Sequence, residues 1–139
     1  MARIVIVGAG IGGISMAFEV RETLGKSHQV TLVNPVPYFQ FTPSNPWVGV
    51  GWRTKADITV DLAAVTAKRG IELVVDRVER LHPEEKRLAL PNGKSLSYDY
   101  LVIATGPELA FDEVTGLGPE GFTQSICTSD HAVKAHEAW

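Results

Sequence analysis

The sequence has little cysteine, little net charge and no long apolar run, and each shortage excludes a class of protein. One cysteine in 139 residues excludes an internal disulfide framework and a metal site built from paired cysteines. With 13 basic and 16 acidic residues, the net charge of −3 gives no basic field that would attract nucleic acid or anionic lipid. No apolar run reaches the roughly 18–20 residues that a membrane-spanning helix needs.

Histidine is also sparse, and its spacing does not predict a metal site. Two of the 4 histidines, His131 and His136, fall in the same predicted helix. They are five residues apart, whereas two ligands on one helix face are three or four residues apart. We therefore expect no metal in this chain.

The N-terminal segment predicts a strand, a helix and a second strand. "RIVIV" (3–7) and "QVTLV" (29–33) are short β-branched runs, typical of strands buried on both faces. Between them, residues 11–24 predict a helix, so the two strands should be parallel. The early glycines argue against a secretory signal peptide here. The apolar stripe of this helix is predicted to consist of Gly13, Met16, Ala17, Val20 and Leu24.

The rest of the chain completes an α/β pattern. The second helix should be capped by Asp57 or Thr59 and should stop at Gly70. We predict a Rossmann-like parallel sheet with helices on its faces, together with a small antiparallel β-meander. The predicted elements are a structured loop over 34–57, a helix over about 58–69, strands over 71–75, 78–81, 86–90, 95–98 and 100–104, and a helix from 129.

"VGAGIGG" places Gly8, Gly10 and Gly13 in a G-x-G-x-x-G pattern after a strand and at the start of a helix. Gly8 permits the tight turn, Gly10 leaves room for a pyrophosphate, and Gly13 lets the helix pack closely on the strand. The pattern predicts a dinucleotide phosphate site, with a plain glycine-rich turn as the alternative. Asn34 occupies the usual position of the carboxylate that accepts ribose hydroxyls. Its lack of charge weakens the case for NAD and favours FAD.

Three longer segments carry a resemblance to a known family. They are "YFQFTPSNPWVGVGW" (38–52), "YDYLVIATGP" (98–107) and "QSICTSDHA" (124–132). With the glycine motif, they resemble the FAD-dependent pyridine nucleotide–disulfide oxidoreductases and, more narrowly, the sulfide:quinone oxidoreductases. The resemblance implies that residues 1–139 form the N-terminal part of a discontinuous FAD-binding domain. Residues 129–139 would then begin the cross-over helix.

The resemblance also implies an activity and its partners. Members of the family oxidise hydrogen sulfide to polysulfide or sulfur and pass the electrons through FAD to a quinone. It implies peripheral attachment to the bacterial plasma membrane through regions beyond this chain, and it leaves oligomerisation open. This chain alone is expected to be inactive, because Cys127 resembles an accessory redox cysteine and the main cysteine pair would lie elsewhere.

The same resemblance assigns cofactor contacts. The pyrophosphate turn, the adenosine ribose, the adenine and the flavin would each be met by a different part of the chain. The implied FAD-binding residues are Gly8, Ala9, Gly10, Ile11, Gly12, Gly13, Asn34, Pro35, Thr42, Pro43, Val78, Thr105, Gly106 and Leu109.

Two other enzyme classes and one non-enzyme remain open at this point. The flavin subunit of a flavocytochrome c sulfide dehydrogenase shares the fold but would normally carry an export signal. A type II NADH:quinone dehydrogenase would favour an acidic residue at position 34 and would not need Cys127. A redox-inactive flavin-binding module is the non-enzyme alternative.

Overall fold

The computed structural model describes residues 1–139, and the chain divides into two units. The first consists of residues 1–39 and 61–106, and the second of residues 40–60 and 107–139. The elements are β1 (Arg3–Val7), α1 (Ile11–Leu24), β2 (Gln29–Asn34), β3 (Tyr38–Gln40), α2 (Asn45–Gly49), β4 (Thr59–Asp61), α3 (Leu62–Arg69), β5 (Glu72–Val75), β6 (Arg80–His82), β7 (Arg87–Ala89), β8 (Ser95–Ser97), β9 (Tyr100–Ile103) and α4 (Ser129–Ala138).

A parallel sheet in the order β5-β2-β1-β9 forms the centre of the first unit. Its side chains alternate between two cores because neighbouring residues of a strand point to opposite faces. Ile6 and Leu32 lie in one buried cluster, and Val5 and Val33 lie in the other. The predicted parallel sheet is confirmed.

Helices cover one face of this sheet, and a small antiparallel sheet covers the other. Ala17 of α1 and Leu62 of α3 join the cluster that contains Ile6. The antiparallel sheet, in the order β6-β7-β8, contributes Leu88 to the opposite cluster. The predicted β-meander is therefore present, and it covers the face of the parallel sheet that α1 and α3 leave open.

Helix α1 has the predicted bounds, but its buried face is rotated from the predicted stripe. Gly13 and Ala17 are buried, and Ile14 and Phe18 pack against the core. Two members of the predicted stripe are wrong, since Met16 is 41% exposed and the terminal Leu24 is 38% exposed. Successive residues are rotated by about 100° around the helix axis. Gly13, Ala17 and Phe18 therefore lie on one face, which packs on the sheet, and Met16 points away from that face toward solvent.

Helix α3 begins later than the sequence predicts. Its N-cap is Asp61, whose Oδ1 accepts from the N–H groups of Ala63 at 2.7 Å and Ala64 at 3.4 Å. The predicted caps are wrong, because Asp57 instead closes a turn by accepting from Thr54 N–H at 2.7 Å. The predicted stop is confirmed, since Gly70 adopts the left-handed conformation that ends the helix.

The second unit contains a helix inside the segment predicted to be a loop. Helix α2 has Pro46 in its first turn, where the missing N–H costs nothing. Val48 packs with Ile58 and with Ala132 of α4 in a small buried cluster. Helix α4 confirms the predicted C-terminal helix. None of the helices combines the length and the apolar character needed to cross a membrane.

Candidate functional site

The turn between β1 and α1 gathers backbone N–H groups at the start of a helix. Gly10 is the N-cap, no side chain caps α1, and its first turn holds no acidic residue. Ile14 N–H donates to the Gly10 carbonyl at 3.0 Å, so the N–H groups before it have no partner within the helix. Together with the helix dipole they favour an anion. Gly10, Ile11 and Gly12 are exposed and can be reached by one.

Three glycines give this turn its shape. Gly8 has φ +98°, and a Cβ there would lie 2.3 Å from the Ala104 carbonyl oxygen. A Cβ on Gly13 would lie 1.8 Å from the Gly8 carbonyl oxygen, so helix and strand are in close contact. A Cβ on Gly10 would meet nothing within 4 Å, which leaves open space in front of the helix. The tight turn and the close packing predicted for Gly8 and Gly13 are thus present.

Asn34 holds this turn from the end of β2. Its side chain is 8% exposed, and its Oδ1 accepts from the buried Ala9 N–H at 2.9 Å. Its Nδ2 donates to the Val36 carbonyl at 2.8 Å. Because one partner is a donor and the other an acceptor, a neutral amide fits here and a carboxylate does not. Asn34 therefore connects the glycine turn to the segment after β2.

A cavity of about 260 Å³ opens at the carboxyl ends of the parallel strands. This edge is where open α/β sheets bind their ligands. Five of the predicted cofactor residues line the cavity, and four further residues of the same edge complete its lining. It is lined by Val7, Gly8, Val33, Asn34, Pro35, Asp76, Arg77, Val78 and Thr105.

The sequence interpretation missed Asp76 and Arg77. They directly follow β5, and Asp76 N–H donates to the Asn34 carbonyl at 3.0 Å. The signal that could have found them is their place directly after a predicted strand, but only the strand order shows that β5 is next to β2. The Arg77 guanidinium lies 3.5 Å from Glu79 and its side chain is 73% exposed.

The segment after β9 approaches the same turn from the other side. Ala104 N–H donates to the Val7 carbonyl at 2.8 Å, which brings Thr105 to the mouth of the cavity. Gly106 has φ +75°, a conformation that favours glycine. The predicted residues Thr105 and Gly106 both belong to the first unit.

The other predicted residues belong to the second unit. Thr42 and Pro43 are exposed and begin a short 3₁₀ helix, and Leu109 is half-buried. Cys127 is a free, exposed cysteine whose N–H donates to Ser125 Oγ at 3.2 Å. Whether these residues contact a cofactor stays a prediction.

A chain of partly buried hydrogen bonds holds the segment around Cys127. Asn45 is 1% exposed, and its Nδ2 donates to the Ile126 carbonyl at 2.9 Å. Gln40 donates through Nε2 to Asn45 Oδ1 at 2.9 Å and accepts from Ser129 Oγ at 2.8 Å. The backbone on both sides of Cys127 is thereby anchored to one strand end and one helix.

Comparison with known proteins agrees with this arrangement. Residues 2–138 match the family described as pyridine nucleotide-disulphide oxidoreductase. The chain belongs to this family.

Within the family, the chain is similar to sulfide-quinone reductases. It is 39% identical to the "Sulfide-quinone reductase" of Aquifex aeolicus over 96% of this chain and 30% of that protein. It is 32% identical to the mitochondrial "Sulfide:quinone oxidoreductase" of Mus musculus over 96% of this chain and 29% of that protein. The X-ray structure of the Aquifex aeolicus enzyme superposes with a TM-score of 0.92 at 38% identity, covering 99% of this chain and 31% of that one. The chain thus spans less than a third of the length of these relatives.

Proposed function

We propose that this chain supplies the N-terminal FAD-binding portion of a sulfide:quinone oxidoreductase. The observation that carries the proposal is the uncapped start of α1 next to an open cavity at the carboxyl edge of a parallel sheet. This geometry fits the diphosphate and the adenosine of a dinucleotide. The choice of sulfide and quinone rests on the similarity to the sulfide-quinone reductases over nearly the whole chain.

The residues of the first unit fit FAD by their space and by their chemistry. The free N–H groups at Gly10, Ile11 and Gly12 would hold the diphosphate, because a Cβ-sized space in front of Gly10 is open. Ala9 and Gly13 would shape this turn from within. Asn34 and Pro35 would flank the adenosine ribose, and Val78 would meet the adenine. Thr105 and Gly106 would continue toward the flavin.

The residues of the second unit have roles in the same proposal. Thr42, Pro43 and Leu109 would run along the cofactor. Cys127 would handle sulfur close to the flavin as an accessory cysteine, because its exposed thiol can be reached by a small sulfur species. When bound, FAD would supply the two-electron chemistry between hydrogen sulfide and quinone. Attachment would be peripheral, at the bacterial plasma membrane.

The experiment uses the protein as its native gene encodes it, purified without oxygen. We expect a flavin spectrum that sulfide bleaches and that a soluble quinone then restores. Bleaching by NADH in place of sulfide would overturn the proposal in favour of an NADH:quinone dehydrogenase. Sulfide bleaching that only a haem protein reverses would point to a flavocytochrome c sulfide dehydrogenase. A flavin that neither donor bleaches would indicate a redox-inactive module.

A further inference from the structure

The position that usually recognises the adenosine ribose is already engaged in this protein. In Rossmann-like sites, a carboxylate at the end of the second strand accepts the ribose hydroxyls. Here that position is Asn34, whose amide binds Ala9 N–H and the Val36 carbonyl. A carboxylate would place an oxygen against the Val36 carbonyl, where only a donor fits. The glycine turn therefore requires the amide, and the site has no charged ribose acceptor on β2.

A carboxylate lies instead at the end of the neighbouring strand. Asp76 directly follows β5, which pairs in parallel with β2 so that Asn34 is opposite Val75. The Asp76 N–H donates to the Asn34 carbonyl at 3.0 Å, which fixes Asp76 beside the cavity that it lines. The half-buried Asp76 thus stands one strand away from the usual position, at the same edge of the sheet.

The Asp76 carboxylate is oriented and still has acceptor capacity. Its Oδ1 accepts from the Arg77 N–H at 2.9 Å, which restrains the side chain. The Arg77 guanidinium is turned to Glu79, at 3.5 Å, so it is not the partner of Asp76. A carboxylate accepts about four hydrogen bonds, so further donors can be bound. Two vicinal hydroxyls are donors of the right kind, whereas a 2′-phosphate would be repelled.

We propose that Asp76 is the acceptor for the adenosine ribose hydroxyls of the bound dinucleotide. This inference rests on the proposed function, because it assumes that the cavity takes an adenosine. Asn34 then positions the turn, and Asp76 selects an adenosine whose 2′ and 3′ hydroxyls are both free. The cavity therefore takes FAD or ADP and rejects a 2′-phosphorylated nucleotide.

The test uses the protein as its native gene encodes it, freed of bound flavin, and measures its affinity for ADP, 2′-deoxy-ADP, 3′-deoxy-ADP and FAD by isothermal titration calorimetry. We expect the wild type to prefer ADP over at least one deoxy analogue by about tenfold or more, since a hydrogen bond to a charged group is lost. Asp76→Ala should weaken ADP binding by a similar factor. The variant should then bind ADP, 2′-deoxy-ADP and 3′-deoxy-ADP with equal affinity. Asp76→Asn should keep part of the preference. Glu84→Ala, which changes an exposed carboxylate outside the cavity, is the matched control and should behave as the wild type.

The outcomes separate this inference from the proposed function. If the wild type binds FAD and ADP but Asp76→Ala keeps the full preference for ADP, the inference is wrong and the proposed function stands. The same holds if Asp76→Ala weakens the binding of ADP, 2′-deoxy-ADP and 3′-deoxy-ADP by the same factor, because the carboxylate then acts only on the shape of the cavity. If the wild type binds neither FAD nor ADP, both fail. Circular dichroism of each variant shows that it is folded.

Discussion

Replacing Gly13 by alanine tests how closely α1 must approach β1. The added Cβ would lie 1.8 Å from the Gly8 carbonyl oxygen and 2.8 Å from its carbonyl carbon. Both are backbone atoms of the glycine turn, so no side chain can rotate away. The helix and the turn would have to separate by roughly an ångström in an interior that is close-packed.

The magnitude follows from this overlap. Inserting a methyl group into a well-packed interior usually costs about 1–3 kcal/mol, and a clash with backbone belongs at the upper end. We therefore expect Gly13→Ala to lower the free energy of unfolding by about 3 kcal/mol and the Tm by roughly 10 °C. The measurement is thermal unfolding followed by far-ultraviolet circular dichroism.

Gly12→Ala is the matched control on the same helix. Its Cβ would meet nothing within 4 Å, and its φ is not positive. Alanine is a better helix former than glycine, so this variant should be more stable by about 0.5–1 kcal/mol. If Gly13→Ala melted at the wild-type temperature, or if both variants lost stability equally, the reasoning about close packing at Gly13 would be refuted.

Two further substitutions probe each unit separately. Asn45→Ala should lower the free energy of unfolding by about 2 kcal/mol in urea, because the buried Asn45 amide bonds both Gln40 and the Ile126 carbonyl; an unchanged midpoint would contradict this. In the first unit, hydrogen bonds from Arg3 lower the pKa of Asp99 from 3.8 to about 2. The stability from this carboxylate is present above about pH 4 and is lost as the pH falls through about 2. Asp99→Asn should therefore make the loss of stability over this range less steep in urea titrations, and an equally steep loss would refute the assignment.

The elements that could be predicted from the sequence are those with a local signal. Strands β1 and β2 are buried on both faces and read as apolar β-branched runs. Helix α1 is long enough for its bounds to be evident, but the direction of its buried face depends on the packing of Ile14 and Phe18 against the sheet. That packing is a tertiary property, which explains the error at Met16.

Short elements and competing caps could not be predicted. Helix α2 has five residues, too few for a helical period to be recognised in a segment rich in proline. Asp57, Thr59 and Asp61 are all residue types that cap helices. Only the structure shows that Asp57 is used by the Thr54 turn and that Asp61 is free to cap α3.

The candidate site was predictable where one segment forms it, and hidden where separate segments meet. The glycine turn lies within one strand–turn–helix unit, so its three glycines identify it. The cavity depends on the order of the strands, which places Asp76 next to Asn34 although they are 42 positions apart in the sequence. The second hydrogen bond of Asn34, to Ala9, is equally a contact between distant parts of the chain.

Titration of the protein as its native gene encodes it, freed of bound flavin, with FAD tests the central claim most directly. Flavin fluorescence and calorimetry together should show saturable binding by the wild type. Gly10→Ala should remain folded, because its Cβ meets no protein atom within 4 Å, and yet should bind FAD at least tenfold more weakly, since the methyl group would occupy the space of the diphosphate. Absence of FAD binding by the wild type, or equal affinity of the folded Gly10→Ala variant, would contradict the account.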